Sequence, residues 1–171
     1  MIDHSAERRT AAPTADERLT AFGLLMETSS ALVATIGAQL DEHGVTGSEF
    51  EVLIRLSRSP EHRMRMTDLA TQAMLSASGL TRLVDRLVAD GLVDREACPN
   101  DRRGSFAVLT HPGLDLVHRV LPGHLALVDR YFTGVLSPSE LERFTKALRK
   151  VRSVVRPGAE AGAEVCLDRQ R

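Results

Sequence analysis
The chain has 171 residues, with 22 Lys and Arg against 23 Asp and Glu, a formal net charge of -1. That length suits one domain with a core of its own. The near-neutral balance excludes a general polycation, so any nucleic-acid contact has to come from a local basic patch. The two cysteines, Cys98 and Cys166, lie far apart without metal-ligand spacing. This argues against a disulfide scaffold and fits a reducing compartment.

Residues 1–15 are polar and are expected to form a disordered arm, and residues 157–171, opening on Pro157 and Gly158, a flexible tail. No consecutive apolar run approaches the ~20 residues of a membrane span. No apolar leader precedes the first patterned segment. The expectation is a cytoplasmic protein without membrane contact.

Between the tails the pattern is mostly helical. Leu19, Phe22, Leu25, Met26, Ser29, Val33, Ile36 and Leu40 follow three-and-four spacing, which predicts a long first helix stopped near Gly44. Thr46 and Glu49 form a capping box for a second helix that buries Phe50, Leu53, Ile54 and Leu56. Arg63 to Met66 suits a short strand, and Thr67 is placed to cap a third helix. After a tight turn at Met74 and Leu75, Ser76 is the cap expected for a fourth helix, with the apolar stripe Leu80, Leu83, Val84, Leu87 and Val88 and a stop at Gly91.

Leu92 to Glu96 and Ser105 to Leu109 are strand-like, and residues 97–104 between them are rich in turn formers. The expected hairpin carries Asp101, Arg102 and Arg103 at its tip. A fifth helix from Thr110 to Phe132 contains Pro122 and Gly123, which predicts a kink or break. The sixth helix opens with Ser137, Pro138 and Glu140, with Leu136 and Leu141 at the staple positions. Its stripe of Leu141, Phe144, Leu148, Val151 and Val155 is nearly heptad and favours a second copy of the chain as its cover. The fold expected is mainly α with a small β-wing: a winged helix-turn-helix over residues 46–109, and a helical dimerisation region over 16–45 and 110–156.

The fourth helix sets Ser78, Thr81, Arg82, Asp85 and Arg86 opposite its apolar stripe. A helix of this size fits the major groove, where Arg makes bidentate bonds to guanine. The helix N-terminus beside Ser76 favours a phosphate. An arginine at a hairpin tip can enter the narrow minor groove, and Asp101 is spaced to hold Arg103 through charge-assisted bonds.

These residues carry a family resemblance. The run LTRLVDRLVADGLVDRE, the wing residues Asp101, Arg102 and Arg103, and the segment Leu109-Thr110-x-x-Gly113 resemble the multiple-antibiotic-resistance regulator (MarR) family over roughly residues 17–155. His111-Pro112 departs from the usual polar or acidic pair and bears on where the fifth helix starts. The resemblance implies a homodimer that binds a pseudo-palindromic operator in double-stranded DNA, usually as a repressor. It places Ser78, Thr81, Arg82 and Arg86 in the major groove and Arg103, oriented by Asp101, in the minor groove. It also implies a small phenolic or anionic effector that releases DNA, with Met26, Ser30, His43, Phe50, Arg55 and Met64 as candidate lining.

Two other controls are weighed. Cys98 lies on the wing near Arg95, Arg102 and Arg103, where cationic neighbours would lower a thiol pKa and make oxidation a route to DNA release. The comparison reading is an inert exposed thiol. His111, His118 and His124 share the fifth helix but close no ligand set with either cysteine. Neither a cofactor nor a metal is implied. No phosphate loop, nucleophile elbow or zinc-protease motif points to an enzyme. The competing class is a winged-helix protein-interaction module, against which the two helix arginines and the basic wing argue.

Overall fold
The computed structural model describes residues 16–98 and 101–157, with backbone alone for 101–103. The arm expected over 1–15 and the tail from 158 on lie outside the described residues. The first helix, α1, runs Glu17–Asp41. Asp16 opens it, its carboxylate accepting the Arg18 N–H at 2.8 Å. Two compact units part within this helix, one ending at Thr35 and the next starting at Ile36.

In the first unit, Leu19, Phe22, Leu24, Leu25, Met26 and Val33 are all exposed. By length and composition alone helix α1 could cross a membrane, a test that the core helix of a soluble protein also passes. Glu27 and the hydroxyl residues Thr28, Ser29 and Ser30 interrupt the run, while the apolar average over the helix stays high.

The second unit holds the core. Leu40 is buried at the end of α1, and the turn after it carries Gly44 at a φ of 73°. Helix α2 runs Gly47–Arg58 behind the Thr46–Glu49 capping box and buries Phe50, Val52, Leu53 and Leu56, with Ile54 half-buried. A 3-10 turn at Pro60–His62 leads into strand β1, Arg63–Arg65. Helix α3, Met66–Ala73, starts two residues ahead of expectation, with Arg65 at the N-cap position and no side-chain cap. The Thr67 cap is therefore wrong. Thr67 lies inside the helix, because the short strand hands its last residue directly to the first turn.

Helix α4 follows at Ala77–Ala89. The turn before it places Met74 in the left-handed region at φ 57°, and Leu75 N–H closes back on Ala70 C=O at 3.0 Å. A glycine usually takes this geometry; here a methionine does, with its side chain 73% exposed. Leu80, Leu83, Val84 and Leu87 are buried, whereas Val88, expected in the stripe, is exposed.

The wing strands are longer than their composition suggests: β2 is Val93–Cys98 and β3 is Asp101–Leu109. Both pair antiparallel in a sheet ordered β1-β3-β2. Within the 97–104 segment the ladder pairs Ala97 with Ser105 and Cys98 with Asp101. The register shifts between Ala97 and Cys98, as at a bulge. Asp101–Arg103 thus belong to a strand following the two-residue link, not to the link itself.

Helix α5 runs His111–Tyr131 unbroken through Pro122. A proline removes one ladder bond, and the remaining bonds hold the helix together, so the expected break does not occur. Thr110, expected as the first helical residue, is instead the N-cap, and the His111-Pro112 pair opens the helix. Helix α6, Pro138–Val155, begins at the expected Ser137–Glu140 box, where Ser137 N–H donates to Glu140 Oε2 at 2.9 Å. The described chain is a mainly helical winged helix-turn-helix with a three-stranded wing sheet.

The Leu109-Thr110-x-x-Gly113 motif has a physical cause. Thr110 Oγ1 accepts from Gly113 N–H at 3.1 Å and donates to Gly91 C=O at 2.8 Å. Thr110 N–H also donates to Leu92 C=O at 3.1 Å. A Cβ on Gly113 would lie 2.1 Å from the Leu92 carbonyl oxygen. The motif pins the start of α5 to the turn between the fourth helix and the wing.

Candidate nucleic-acid interface
Helix α4 presents Ser78, Thr81, Arg82, Asp85 and Arg86 on its exposed face, opposite the four buried residues. Ser76 caps it: its Oγ accepts the Gly79 N–H at 3.0 Å and lies 3.3 Å from Ser78 Oγ. The expected major-groove residues therefore share one surface, with the helix N-terminus at one end.

The two helix arginines differ. Among the described residues Arg82 has no ion-pair partner. Arg86 donates from Nε to Glu49 Oε1 at 3.0 Å. Glu49 is the one buried charged residue of the described core. Its Oε2 accepts from Thr46 N–H at 3.0 Å and from Thr46 Oγ1 at 2.8 Å. Burial works to raise the Glu49 carboxyl, but the Thr46 donors and the Arg86 guanidinium outweigh it and hold the group below the ordinary glutamate value.

Asp85 does not pair with its neighbour Arg86. It meets Arg95 of β2 at 2.9 Å, and Arg95 also donates to Thr81 C=O at 3.2 Å. This ties the wing strand to the exposed face of α4. On the sheet, Arg63 lies 4.1 Å from the Phe106 ring centroid and 3.4 Å from Glu96, a cation–π contact joined to an ion pair. Sequence reading missed Glu49 and Arg95. The capping box accounted for Glu49 locally, and no spacing rule reveals a partner 37 residues away.

The side chains of Asp101, Arg102 and Arg103 lie outside the described residues. Cys98 is buried at 5% exposure, which corrects the reading of an exposed thiol. A buried cysteine away from bulk oxidant is inert by default, so burial argues against a redox route through Cys98.

The candidate effector residues are scattered in role. Met26 and Ser30 are exposed on the first unit's part of α1, and His43 is exposed in the turn after it. Phe50 is committed to the core, its ring 5.0 Å from that of His124 in an edge contact. Arg55 pairs with Glu51 and donates to Gln72 Oε1 at 3.3 Å. Met64 is half-buried against the core. His124 Nδ1 and Gln39 Oε1 are buried without a partner, and burial pushes the His124 pKa down. Among the described residues no three metal-ligating side chains converge.

The sequence model of the MarR family matches residues 43–104, which span α2, the helix-turn-helix and the start of the wing. AbsC, a MarR family transcriptional regulator from Streptomyces coelicolor, is 37% identical, with a TM-score of 0.80 over 86% of this chain and 99% of that one. Sco3205, a MarR family regulator from the same organism solved in complex with DNA, is 32% identical, with a TM-score of 0.78 over 82% and 89%. The HTH-type transcriptional regulator MhqR of Bacillus subtilis is 29% identical over 136 residues, 80% of this chain and 92% of its own length.

Proposed function
The chain belongs to the MarR family of transcriptional regulators, and from that premise we propose that it is a homodimeric repressor that binds a pseudo-palindromic operator and is released by a small phenolic or anionic effector. The observation that carries the DNA part is the exposed face of α4. It sets Ser78, Thr81, Arg82 and Arg86 together beside a capped helix N-terminus. In this reading residues 46–109 are the DNA-binding region. Ser76 stands at the phosphate end of the helix, and Asp101, Arg102 and Arg103 engage the minor groove.

Support for the dimer comes from the helices outside that region. Phe22, Val33, Val151, Val154 and Val155 are all more than half exposed, and apolar surface of this extent marks an interaction site. The proposal assigns residues 16–45 and 110–156 to dimerisation, with the protein acting in the cytoplasm. The effector must bind the non-DNA-binding arrangement more tightly than the binding one, since equal affinity shifts nothing.

The test is fluorescence anisotropy on a duplex from upstream of the protein's own gene, against scrambled DNA, at two salt concentrations. Tight, salt-sensitive and sequence-selective binding is expected, because released counterions make phosphate engagement weaken steeply with salt. Absence of binding to both duplexes at low salt overturns the reading.

A further inference from the structure
We propose that Glu49 is a positioning residue for DNA recognition: it holds the Nε edge of Arg86, so that only the Nη1/Nη2 end of that arginine faces DNA. The inference rests on the reading of α4 as the DNA-contacting helix and adds a specificity role for a buried acid on α2.

The geometry divides the carboxylate between two tasks. Oε2 takes both Thr46 donors and closes the start of α2, at 3.0 and 2.8 Å. Oε1 is left to reach the last turn of α4, where it accepts from Arg86 Nε at 3.0 Å. The Glu49 side chain is 12% exposed while that of Arg86 is 58% exposed. The guanidinium therefore has one edge in the protein and the rest at the surface. Thr46 locks the rotamer of Glu49, and a locked acid fixes the plane of the guanidinium.

Guanidinium chemistry gives this arrangement its consequence. A free arginine offers a bidentate acceptor either its Nε/Nη edge or its two terminal nitrogens, and it swings between phosphate and base. With Nε engaged, Arg86 offers only the terminal pair, which matches the O6 and N7 acceptors of guanine end-on. Its charge is already balanced by Glu49, so it adds little to counterion release. Arg82, one turn earlier on the same exposed face and without an ion-pair partner among the described residues, carries no such restraint. The two arginines thus divide the work: Arg82 supplies salt-dependent attraction and Arg86 supplies base preference.

The experiment compares wild type, Glu49→Gln, Arg86→Ala, the double variant and Arg82→Ala. Each is titrated onto a duplex from upstream of the gene and onto its single-base-pair variants at several salt concentrations. Glu49→Gln keeps an acceptor for Thr46 and loses the charge that holds Arg86. It is expected to weaken binding about tenfold and to relax preference at the same base pair as Arg86→Ala. The double variant should be no worse than Arg86→Ala alone. The slope of affinity against salt should fall for Arg82→Ala and steepen for Glu49→Gln, whose released Arg86 charge is no longer balanced.

A purely structural acid would instead give losses that add and base preference that stays intact, and either result overturns the proposal. An Arg86→Ala variant with wild-type affinity and preference also overturns it, while a salt slope still dependent on Arg82 would leave the DNA-binding reading standing. If neither arginine matters, the DNA-binding reading of α4 fails with it. Should Glu49→Gln fail to fold, Arg86→Lys keeps the charge without the Nε edge and is expected to retain the salt slope while losing base preference. Nitrogen-15 NMR supplies a direct signature: a slowly exchanging Arg86 Nε–H in the wild type that is lost when Glu49 is replaced.

Discussion

Helices α4 and α6 look alike in sequence and end up in opposite conditions. Each has a serine at its start and an apolar stripe at three-and-four spacing. Helix α4 buries Leu80, Leu83, Val84 and Leu87, whereas α6 buries none of its residues. Ion pairs also tie α4 to its surroundings through Glu49 and Arg95. The firmest link from the end of α6 is Arg156, whose guanidinium donates to the Thr71 and Gln72 carbonyls at the end of α3. The pattern shows that a face requires cover; it does not show whether the same chain or a second copy supplies it.

The contrast predicts unequal responses to the same kind of substitution. Leu56 is fully buried behind the helix-turn-helix, and Leu56→Ala is expected to cost about 2–5 kcal/mol in chemical denaturation. Gly113→Ala should come next, at about 1–3 kcal/mol, because its new Cβ meets a backbone oxygen that cannot move aside cheaply. A normal melt for Gly113→Ala would show that the start of α5 is not pinned to Leu92.

On the exposed helices the expectation changes from stability to association. Phe22→Ser with Val154→Ser should leave the intrinsic stability of a protomer within about 0.5 kcal/mol of wild type. The dissociation constant of the proposed dimer should rise tenfold or more, about 1.4 kcal/mol, by sedimentation equilibrium. A protomer that unfolds instead would place those side chains in a core of its own.

The smallest effect is a pH slope. His124 has its folded pKa pushed down by burial, while the unfolded value stays at about 6.5. The unfolded state then binds the proton first, so stability is full above that value and is lost as pH falls through the folded pKa. Glu49 follows the same sign in a more acidic window, below the ordinary glutamate value of about 4.3. Thermal melts between pH 7 and 5 should show the first slope in wild type and its absence in His124→Leu.

Much of the fold was legible because it is written in local signals. The Thr46–Glu49 box, the Ser76 cap and the Ser137–Glu140 start all stand where sequence placed them. The misses arose where tertiary context overrode propensity. Thr67 lost its cap role to a strand that runs into the helix. The wing strands extended into turn-forming residues, where Ala97 pairs with Ser105 and Cys98 with Asp101. Pro122 stayed inside a helix.

By itself the sequence determined the order of elements, the exposed face of α4 and the apolar faces of the long helices, since periodicity and capping act within a few residues. Only the tertiary structure decided that Arg86 is held by Glu49 while Arg82 has no ion-pair partner among the described residues, that Cys98 is buried, and that Gly113 lies in close approach to Leu92. Those facts depend on groups brought together from distant parts of the chain. Glu49 and Arg86 stand 37 residues apart, and the burial that makes their pairing matter exists only once α2 and α4 have closed around one core.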